Sequence, residues 1–143
     1  MKKVLVSACL LGNDCRYDGG NCHNKNVIAY LRDKEAIVIC PEQLGGFTTP
    51  RPPAEINGRS ILTAKGEDVT IGFMDGAQKA LAIAKAAGCE IAVLKEESPS
   101  CGKQRIFDGS FQGIVIAGSG ITASLLSANG IEVLSEEEIE QLV

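Results

Sequence analysis

The amino-acid sequence predicts an α/β domain of three layers, in which helices cover both faces of a mainly parallel, Rossmann-like sheet. Short aliphatic runs, typical of strands buried on both faces, alternate along the chain with segments of helical hydrophobic spacing. The core is expected to be aliphatic, because hydrophobic residues make up 45% of the 143 residues and aromatic residues only 4%. The chain has an ordinary length for one domain and shows no linker or repeat, so residues 1–143 are predicted to form a single domain.

The first part of the chain predicts two buried strands joined by a helix. Residues 2–8 are apolar and β-branched, as expected of a strand, and residues 9–20 have the composition of a loop. Asn24 is the expected N-cap of a helix that continues to Lys34, and residues 36–40 are the second buried strand.

Residues 40–55 suit neither a helix nor a strand. The pair Gly45-Gly46 gives the backbone freedom, and the prolines of this stretch fix φ and lack an amide donor. We therefore expect a long loop of defined shape at the end of a strand. Such loops are uncommon in small domains unless they bind or cover something.

The second half continues the alternation. A short edge strand over residues 58–63 is followed by a long helix over residues 71–87, with Gly88 as its C-cap. Asp108-Gly109 between short apolar pairs predicts a hairpin near residues 104–113 on a type I′ turn, which would cover the edge of a site. The other expected elements are a buried strand over 90–94, a loop over 95–102, an apolar strand or turn over 113–117, a helix over 121–128, a strand over 131–134 and a last helix with Ser135 and Glu138 as its capping box.

Charge and hydropathy exclude several classes of protein. A net charge of −4, an isoelectric point near 5.0 and the lack of a basic cluster argue against a nucleic-acid binder. No apolar run approaches the ~18 residues of a membrane span. Residues 1–9 imitate a lipoprotein signal, but the apolar run is shorter than the roughly 7–15 residues that export requires. We expect a cytoplasmic protein whose cysteines are free thiols, metal ligands or nucleophiles.

Three cysteines, Cys9, Cys40 and Cys101, follow three different predicted strands. In parallel sheets, ligands bind in the crevice beyond the carboxyl ends of the strands, so the three thiols are expected to converge there. Convergent thiols suit a soft metal. A closed zinc site would need four ligands, usually in close pairs that this chain lacks, whereas three thiolates on a 4Fe-4S cluster would leave one iron open. Spacing alone leaves open that these cysteines are small buried hydrophobic residues, which is the expectation for Cys89.

Other candidate groups have equally plain alternatives. Cys15, Cys22 and His23 share one loop and could bind a metal, although their spacing is irregular. Glu42, two residues after Cys40, could act as a general acid or base, or it could be a solvated loop charge.

The remaining polar motifs are weaker signals. Ser98 and Ser100 precede Cys101 and could bind a polar ligand or simply form a turn. Residues 118–123 resemble a phosphate-binding fingerprint, but a glycine at the start of a helix is the favoured interpretation. Three arginines could hold a carboxylate or phosphate, or form surface ion pairs: Arg16, Arg51 and Arg105.

Several motifs in the same order resemble the bacterial domain-of-unknown-function family 523. They are Ser7-Ala8-Cys9-Leu10-Leu11-Gly12, Arg16-Tyr17-Asp18-Gly19, Cys40-Pro41-Glu42 with Gly45-Gly46, Pro50-Arg51-Pro52-Pro53-Ala54-Glu55, residues 66–70, and Ser98-Pro99-Ser100-Cys101-Gly102. The resemblance covers nearly the whole chain. Characterised relatives in that family are thiouracil desulfurases with an oxygen-sensitive 4Fe-4S cluster held by three cysteines. The resemblance therefore implies such a cluster on Cys9, Cys40 and Cys101, with one open iron.

The same resemblance implies roles for other residues. Glu42 would be the acid or base, and Ser98 and Ser100 would position the substrate or help to protonate it. The implied activity is removal of sulfur from a small thiolated heterocycle such as 2-thiouracil, in a protein loaded by the iron-sulfur assembly machinery. Two alternatives stay open, namely an iron-sulfur or metal sensor without turnover, and a cluster-free thiol hydrolase with Cys40 or Cys101 as its nucleophile.

Overall fold

The computed structural model of the protein describes residues 1–142 and contains a sheet of four parallel strands in the order β2-β1-β5-β8. The middle strands are mainly aliphatic and mostly buried, as Val4, Leu5 and Val6 of β1 illustrate with 0% exposure. The four strands are β1 (Lys3–Ser7), β2 (Glu35–Ile39), β5 (Ile91–Leu94) and β8 (Glu132–Ser135).

Helices cover both faces of this sheet, which confirms the predicted three layers. Alternate residues of β1 point to opposite faces, so Leu5 packs in one core while Val4 and Val6 pack in the other. The first core is shared with α3 (Thr70–Ala87) and α4 (Ile121–Ala128). The second core is shared with α1 (Lys25–Tyr30) and α5 (Glu136–Glu140).

The helix ends mostly follow the sequence signals. Asn24 Oδ1 accepts hydrogen bonds from two backbone amides at the start of α1, and Gly88 ends α3 in a left-handed conformation with φ 77°. The predicted end of α1 at Lys34 is wrong, because the helix ends at Tyr30. The chain must turn there, since the Glu35 amide already donates to the Lys2 carbonyl at 2.8 Å as β2 begins.

Residues 40–55 are less irregular than predicted. Pro41–Leu44 form one helical turn, α2, with proline in the first turn, where its fixed φ favours a helix. This turn lies close against α3, because a Cβ on Gly76 would stand 2.0 Å from the Pro41 carbonyl oxygen. Strand β3 (Ala54–Asn57) pairs with β4 (Ser60–Thr63) in a separate antiparallel hairpin, so the expected edge strand is not part of the main sheet.

The second hairpin also differs from the prediction. Strand β6 (Arg105–Phe107) pairs with β7 (Val115–Ala117), so the strands are joined by residues 108–114 and not by a two-residue turn at Asp108-Gly109. The reason is a tertiary contact, because Glu55 of the β3–β4 hairpin accepts hydrogen bonds from amides of this loop. In residues 1–142, no helix combines the length and the apolar character that crossing a bilayer requires.

Candidate functional site

A cavity of about 440 Å³ lies at the carboxyl edge of the sheet. Its walls come from the ends of β1, β2 and β5, from the loop after β1, and from both small hairpins. Five of the six cysteines line it, namely Cys9, Cys15, Cys22, Cys40 and Cys101. The sixth, Cys89, is buried in the α3 and α4 core and does not line the cavity, as predicted.

The strand order brings Cys9, Cys40 and Cys101 together at this cavity. Cys9 lies in a short 3-10 helix (Ala8–Leu11) directly after β1, and Cys40 is the residue between β2 and α2. Cys101 lies in the loop after β5. Because β1 is flanked by β2 and β5, the three cysteines extend from neighbouring strands. Their role as ligands stays a prediction.

Cys15 adds a fourth thiol that the sequence motifs did not single out. It is buried, and its backbone carbonyl accepts a hydrogen bond from the Cys40 thiol at 3.8 Å. The alternative group of Cys15, Cys22 and His23 does not assemble, because His23 is exposed and does not line the cavity. Across residues 1–142, no three His, Cys, Asp or Glu side chains lie within reach of a single metal ion.

The buried thiols resist ionisation. Burial raises the pKa of Cys101 to about 12. The hydrogen bond with Cys15, together with burial, raises the pKa of Cys40. For Cys15, the bond with Cys40 lowers the pKa, but the bond with Cys9 and burial outweigh it and raise the pKa to about 11. Such thiols are poor nucleophiles at neutral pH, and a cationic metal centre would be needed to hold them as thiolates.

Glu42 lies beside the thiols and is paired with Arg51. Its Oε2 is 3.4 Å from Arg51 Nη2, and the Arg51 side chain is only 6% exposed. Arg51 Nη2 also donates to the Cys15 carbonyl at 2.8 Å, and Nη1 donates to Thr49 Oγ1 at 2.9 Å. Arg51 Nε is buried and has no hydrogen-bond partner within residues 1–142. The arginine therefore ties the carboxylate to the loop that carries Cys15.

The two predicted serines lie at different depths. Ser98 lines the cavity, and its hydroxyl accepts hydrogen bonds from the amides of Ser100 at 3.0 Å and Cys101 at 3.1 Å. Ser100 is 1% exposed and does not line the cavity, and its hydroxyl lies 2.7 Å from Thr122 Oγ1 at the start of α4. Ser98 can thus face a ligand, whereas Ser100 holds the Cys101 turn against α4.

Glu96 organises the same turn, and sequence reasoning missed it. This carboxylate is 1% exposed, and its Oε1 accepts four backbone hydrogen bonds, from residues 97, 103, 104 and 105. These bonds close the loop around Cys101. Its other oxygen, Oε2, is buried without a partner in the described part of the chain. No local pattern distinguishes Glu96 from an ordinary solvated loop acid, because its partners come from a tertiary turn.

The glycine motif before α4 and two of the three candidate arginines differ in their relation to the cavity. Gly120 starts α4, and a Cβ there would lie 2.5 Å from the Ser100 carbonyl, so the glycine permits close packing at a helix start. Arg105 pairs with Glu97 and Glu137, which fits the surface ion-pair alternative. Arg16 lines the cavity and donates to Cys22 Sγ at 3.2 Å.

Aromatic side chains form a further part of the wall that sequence reasoning did not identify. Tyr17, Phe107 and Phe111 line the cavity, although the chain has only four phenylalanines, two tyrosines and no tryptophan. Half of the aromatic residues of an aliphatic protein therefore surround this one space. Glu55, which anchors the Phe111 loop, lines it as well.

Comparison with known proteins agrees with this arrangement. The model of the 2-thiouracil desulfurase family matches residues 4–138. The chain belongs to the 2-thiouracil desulfurase family. It is also 45% identical over 150 aligned residues to the uncharacterised protein YbbK of Bacillus subtilis (strain 168), covering 98% of this chain and 99% of YbbK.

A solved structure extends the desulfurase comparison to the fold. The chain is 46% identical to the [4Fe-4S]-dependent thiouracil desulfidase TudS, with a TM-score of 0.93 and coverage of 99% of this chain and 95% of TudS. The resemblance to family 523 and the predicted α/β fold are thereby confirmed.

Proposed function

We propose that the protein is a 4Fe-4S-dependent desulfurase that removes sulfur from a small thiolated heterocycle such as 2-thiouracil. One observation carries the proposal: Cys9, Cys40 and Cys101 meet at a cavity that also contains the carboxylate of Glu42, in a chain of the 2-thiouracil desulfurase family. The likeness to TudS, which depends on a 4Fe-4S cluster, supports the choice of cofactor.

The residues present fit such a cluster. Cys9, Cys40 and Cys101 would hold it, and thiolates are the usual ligands of iron-sulfur clusters. Each cysteine would bind a different iron, so the three need not lie within reach of one ion. Arg51 also lines the cavity, and its buried Nε, which has no partner within residues 1–142, is a donor that would suit an anionic group there. When bound, the cluster supplies an iron with an open position, which is a Lewis acid suited to a soft thione sulfur.

The proton chemistry falls to Glu42. Water adds at the ring carbon that bears sulfur and gives a proton to the Glu42 carboxylate, which acts as a general base. The added hydroxyl then becomes the oxo group and releases its proton as the carbon-sulfur bond breaks, and the departing sulfur takes up both this proton and the one that Glu42 returns. The thione and water thus become the oxo product and hydrogen sulfide without net oxidation or reduction. Arg51 keeps the carboxylate oriented through their ion pair at 3.4 Å.

The serines act on either side of the Cys101 turn. Ser98 Oγ accepts hydrogen bonds from two backbone amides. Its hydroxyl hydrogen is therefore left to donate to a substrate atom in the cavity. Ser100 acts behind it, and its contact with Thr122 keeps the turn against α4. We therefore assign substrate contact to Ser98 and a positioning role to Ser100.

The wider setting follows from the same proposal. The chain would act as one domain in a reducing cytoplasm, where its six free cysteines stay reduced and the iron-sulfur assembly machinery supplies the cluster. The raised thiol pKa values disfavour the cluster-free hydrolase, because Cys40 and Cys101 would rarely be thiolates. A sensor without turnover differs from the proposal in consuming no substrate.

The test is a comparison of one preparation with and without iron. The protein is purified and reconstituted under nitrogen, and half is stripped with a chelator. We expect about four iron atoms per chain, loss of the 2-thiouracil thione absorbance and an equal amount of sulfide from the loaded half alone. Equal turnover by the stripped half would contradict the cluster, and iron binding without turnover would favour the sensor.

A further inference from the structure

The two small hairpins meet at the cavity through a single carboxylate. Glu55 Oε1, on β3, accepts hydrogen bonds from the amides of Gly109 at 3.0 Å and Phe111 at 3.2 Å, both in the loop of the β6–β7 hairpin. The hairpins approach closely, since a Cβ on Gly109 would lie 2.8 Å from the Ile56 carbonyl oxygen. Glu55 and Phe111 both line the cavity, so this joint forms part of its wall.

The backbone at Phe111 is held in an unfavourable conformation. Its φ is 58°, in the left-handed region that bulky residues rarely adopt. Within residues 1–142, Phe111 and Glu97 are the only residues other than glycine with positive φ, and both line the cavity. Such strain persists only where surrounding contacts hold it, and it concentrates at ligand sites. The hydrogen bond from the Phe111 amide to Glu55 is such a contact.

The phenyl ring of Phe111 limits the class of ligand that this part of the cavity wall can bind. A phenyl ring offers a flat apolar face but no hydrogen bond, so it favours planar, unsaturated rings with little regard to their edge substituents. Three of the other five aromatic residues are used elsewhere, since Phe47 packs on Phe73 at 5.2 Å between ring centroids and Tyr30 lies under Lys34, while Tyr17 and Phe107 line the cavity with Phe111. The aromatic ring of Phe111 is therefore not needed for packing the aliphatic core of this protein.

We propose that Phe111 is the surface on which the planar ring of the substrate stacks, and that Glu55 is the residue that positions it. The β6–β7 hairpin thereby selects planar heterocycles over saturated rings with the same polar groups. The inference rests on the proposed function for the choice of a pyrimidine ring. It does not depend on sulfur removal, because a ring without sulfur stacks equally well.

The test measures binding of two ligands that lack sulfur. Uracil and 5,6-dihydrouracil carry the same carbonyl and amide groups, but only uracil has a planar unsaturated ring. With the iron-reconstituted protein under nitrogen, equilibrium dialysis of labelled ligands should show about tenfold tighter binding of uracil, the usual order of one base stacked on an aromatic ring. Phe111→Leu should remove this preference, because it weakens the binding of uracil more than that of dihydrouracil.

Two further variants separate stacking from general damage. Phe47→Leu, which removes an aromatic residue away from the cavity, should keep the tenfold preference. Glu55→Ala should lose the preference because the Phe111 loop is released, and Glu55→Gln should restore most of it because the amide oxygen still accepts. If Glu55→Gln loses the preference for uracil as completely as Glu55→Ala does, the positioning role of Glu55 is wrong.

The outcomes distinguish this inference from the proposed function. If wild-type protein fails to bind uracil or binds both ligands equally, or if Phe111→Leu keeps the preference, stacking on Phe111 is wrong even where 2-thiouracil is desulfurised. If the preference exists and depends on Phe111 but no sulfide is released, stacking stands and the desulfurase proposal falls.

Discussion

The four parallel strands end at one edge of the sheet, but the end of β8 differs from the other three. Strands β1, β2 and β5 lead into cysteines that line the cavity. Strand β8 leads directly into α5, which begins with a complete capping box formed by Ser135 and Glu138. The carboxyl ends of three strands thus lead to cysteine thiols at the cavity, whereas the end of the fourth leads to an ordinary helix start.

The partners of the polar groups show what this difference means. At the β8 end, the three acidic residues in the first turn of α5 are all paired, Glu136 with Lys95, Glu137 with Arg105 and Glu138 with Lys103. The cavity, by contrast, is lined by thiols with raised pKa, by a strained Phe111 and by Arg51, whose Nε has no partner in the described residues 1–142. Groups that the fold itself satisfies are scaffold, whereas groups left unsatisfied indicate a site.

Removal of a cavity thiol should give the largest effect. In Cys101→Ala we expect loss of the reconstituted iron and of all desulfurase activity, because one cluster ligand is missing. Cys89→Ala is the matched control, since Cys89 is also buried but lies in the core. Iron content, the visible spectrum and sulfide release check this. Full iron and activity in Cys101→Ala would remove Cys101 from the ligand set.

Substitution of the acid should separate chemistry from cluster binding. Glu42→Gln should keep its iron and lower kcat by about 10²–10⁴, the usual contribution of a general acid or base. Asp75→Asn is the control, because it changes a carboxylate of an exposed ion pair with Lys79 on α3. Single-turnover sulfide release, normalised to iron, is the measurement. A Glu42→Gln rate within threefold of wild type would contradict the role of Glu42.

Loss of the Glu96 carboxylate should affect both stability and iron retention. Glu96→Ala removes the acceptor of four partly buried backbone amides, which should lower the free energy of unfolding by about 3 kcal/mol. Iron should also escape faster to a chelator, because the Cys101 loop opens. Ser135→Ala is the comparison at the β8 end, where loss of the helix cap costs about 1 kcal/mol. If both variants release iron at the same rate, Glu96 acts only on stability.

The sequence predicted those parts of the molecule that depend on local pattern. The buried strands place Cys9, Cys40 and Cys101 at one edge, and Ser135 begins a capping box; both follow from periodicity and nearest neighbours. The cavity position of Cys15 did not follow, because its loop has no regular period.

Contacts between segments that are distant in sequence could not be predicted from local sequence patterns. Residues 64–104 separate the two hairpins in sequence, yet Glu55 of the first accepts two hydrogen bonds from the loop of the second. The Asp108-Gly109 signal for a two-residue turn was overruled by these hydrogen bonds. Glu96 was missed for the same reason, since a turn that forms only in the folded chain supplies its four donors.

The smallest effect is expected in the pH dependence of the stability that Glu138 contributes at the carboxyl end of β8. Burial of Glu138 tends to raise its pKa, but hydrogen bonds from Lys103 Nζ at 2.6 and 2.8 Å and from the Ser135 amide at 3.1 Å outweigh burial and hold the pKa below its usual 4.5. Because the folded-state pKa is lowered, this carboxylate stabilises the fold fully above pH 4.5 and loses that contribution as the pH falls through the lowered value.

Glu138→Gln tests this contribution at the two ends of the titration. The variant should be less stable than wild type by roughly 0.5 kcal/mol at pH 7, as is usual for a partly exposed pair, and the difference should vanish near pH 3. Urea unfolding at both pH values measures it. The iron content at pH 7 should match wild type, since Glu138 belongs to the paired end of the sheet. A Glu138→Gln protein with depleted iron would show that the two ends are coupled and would break the distinction between scaffold and site.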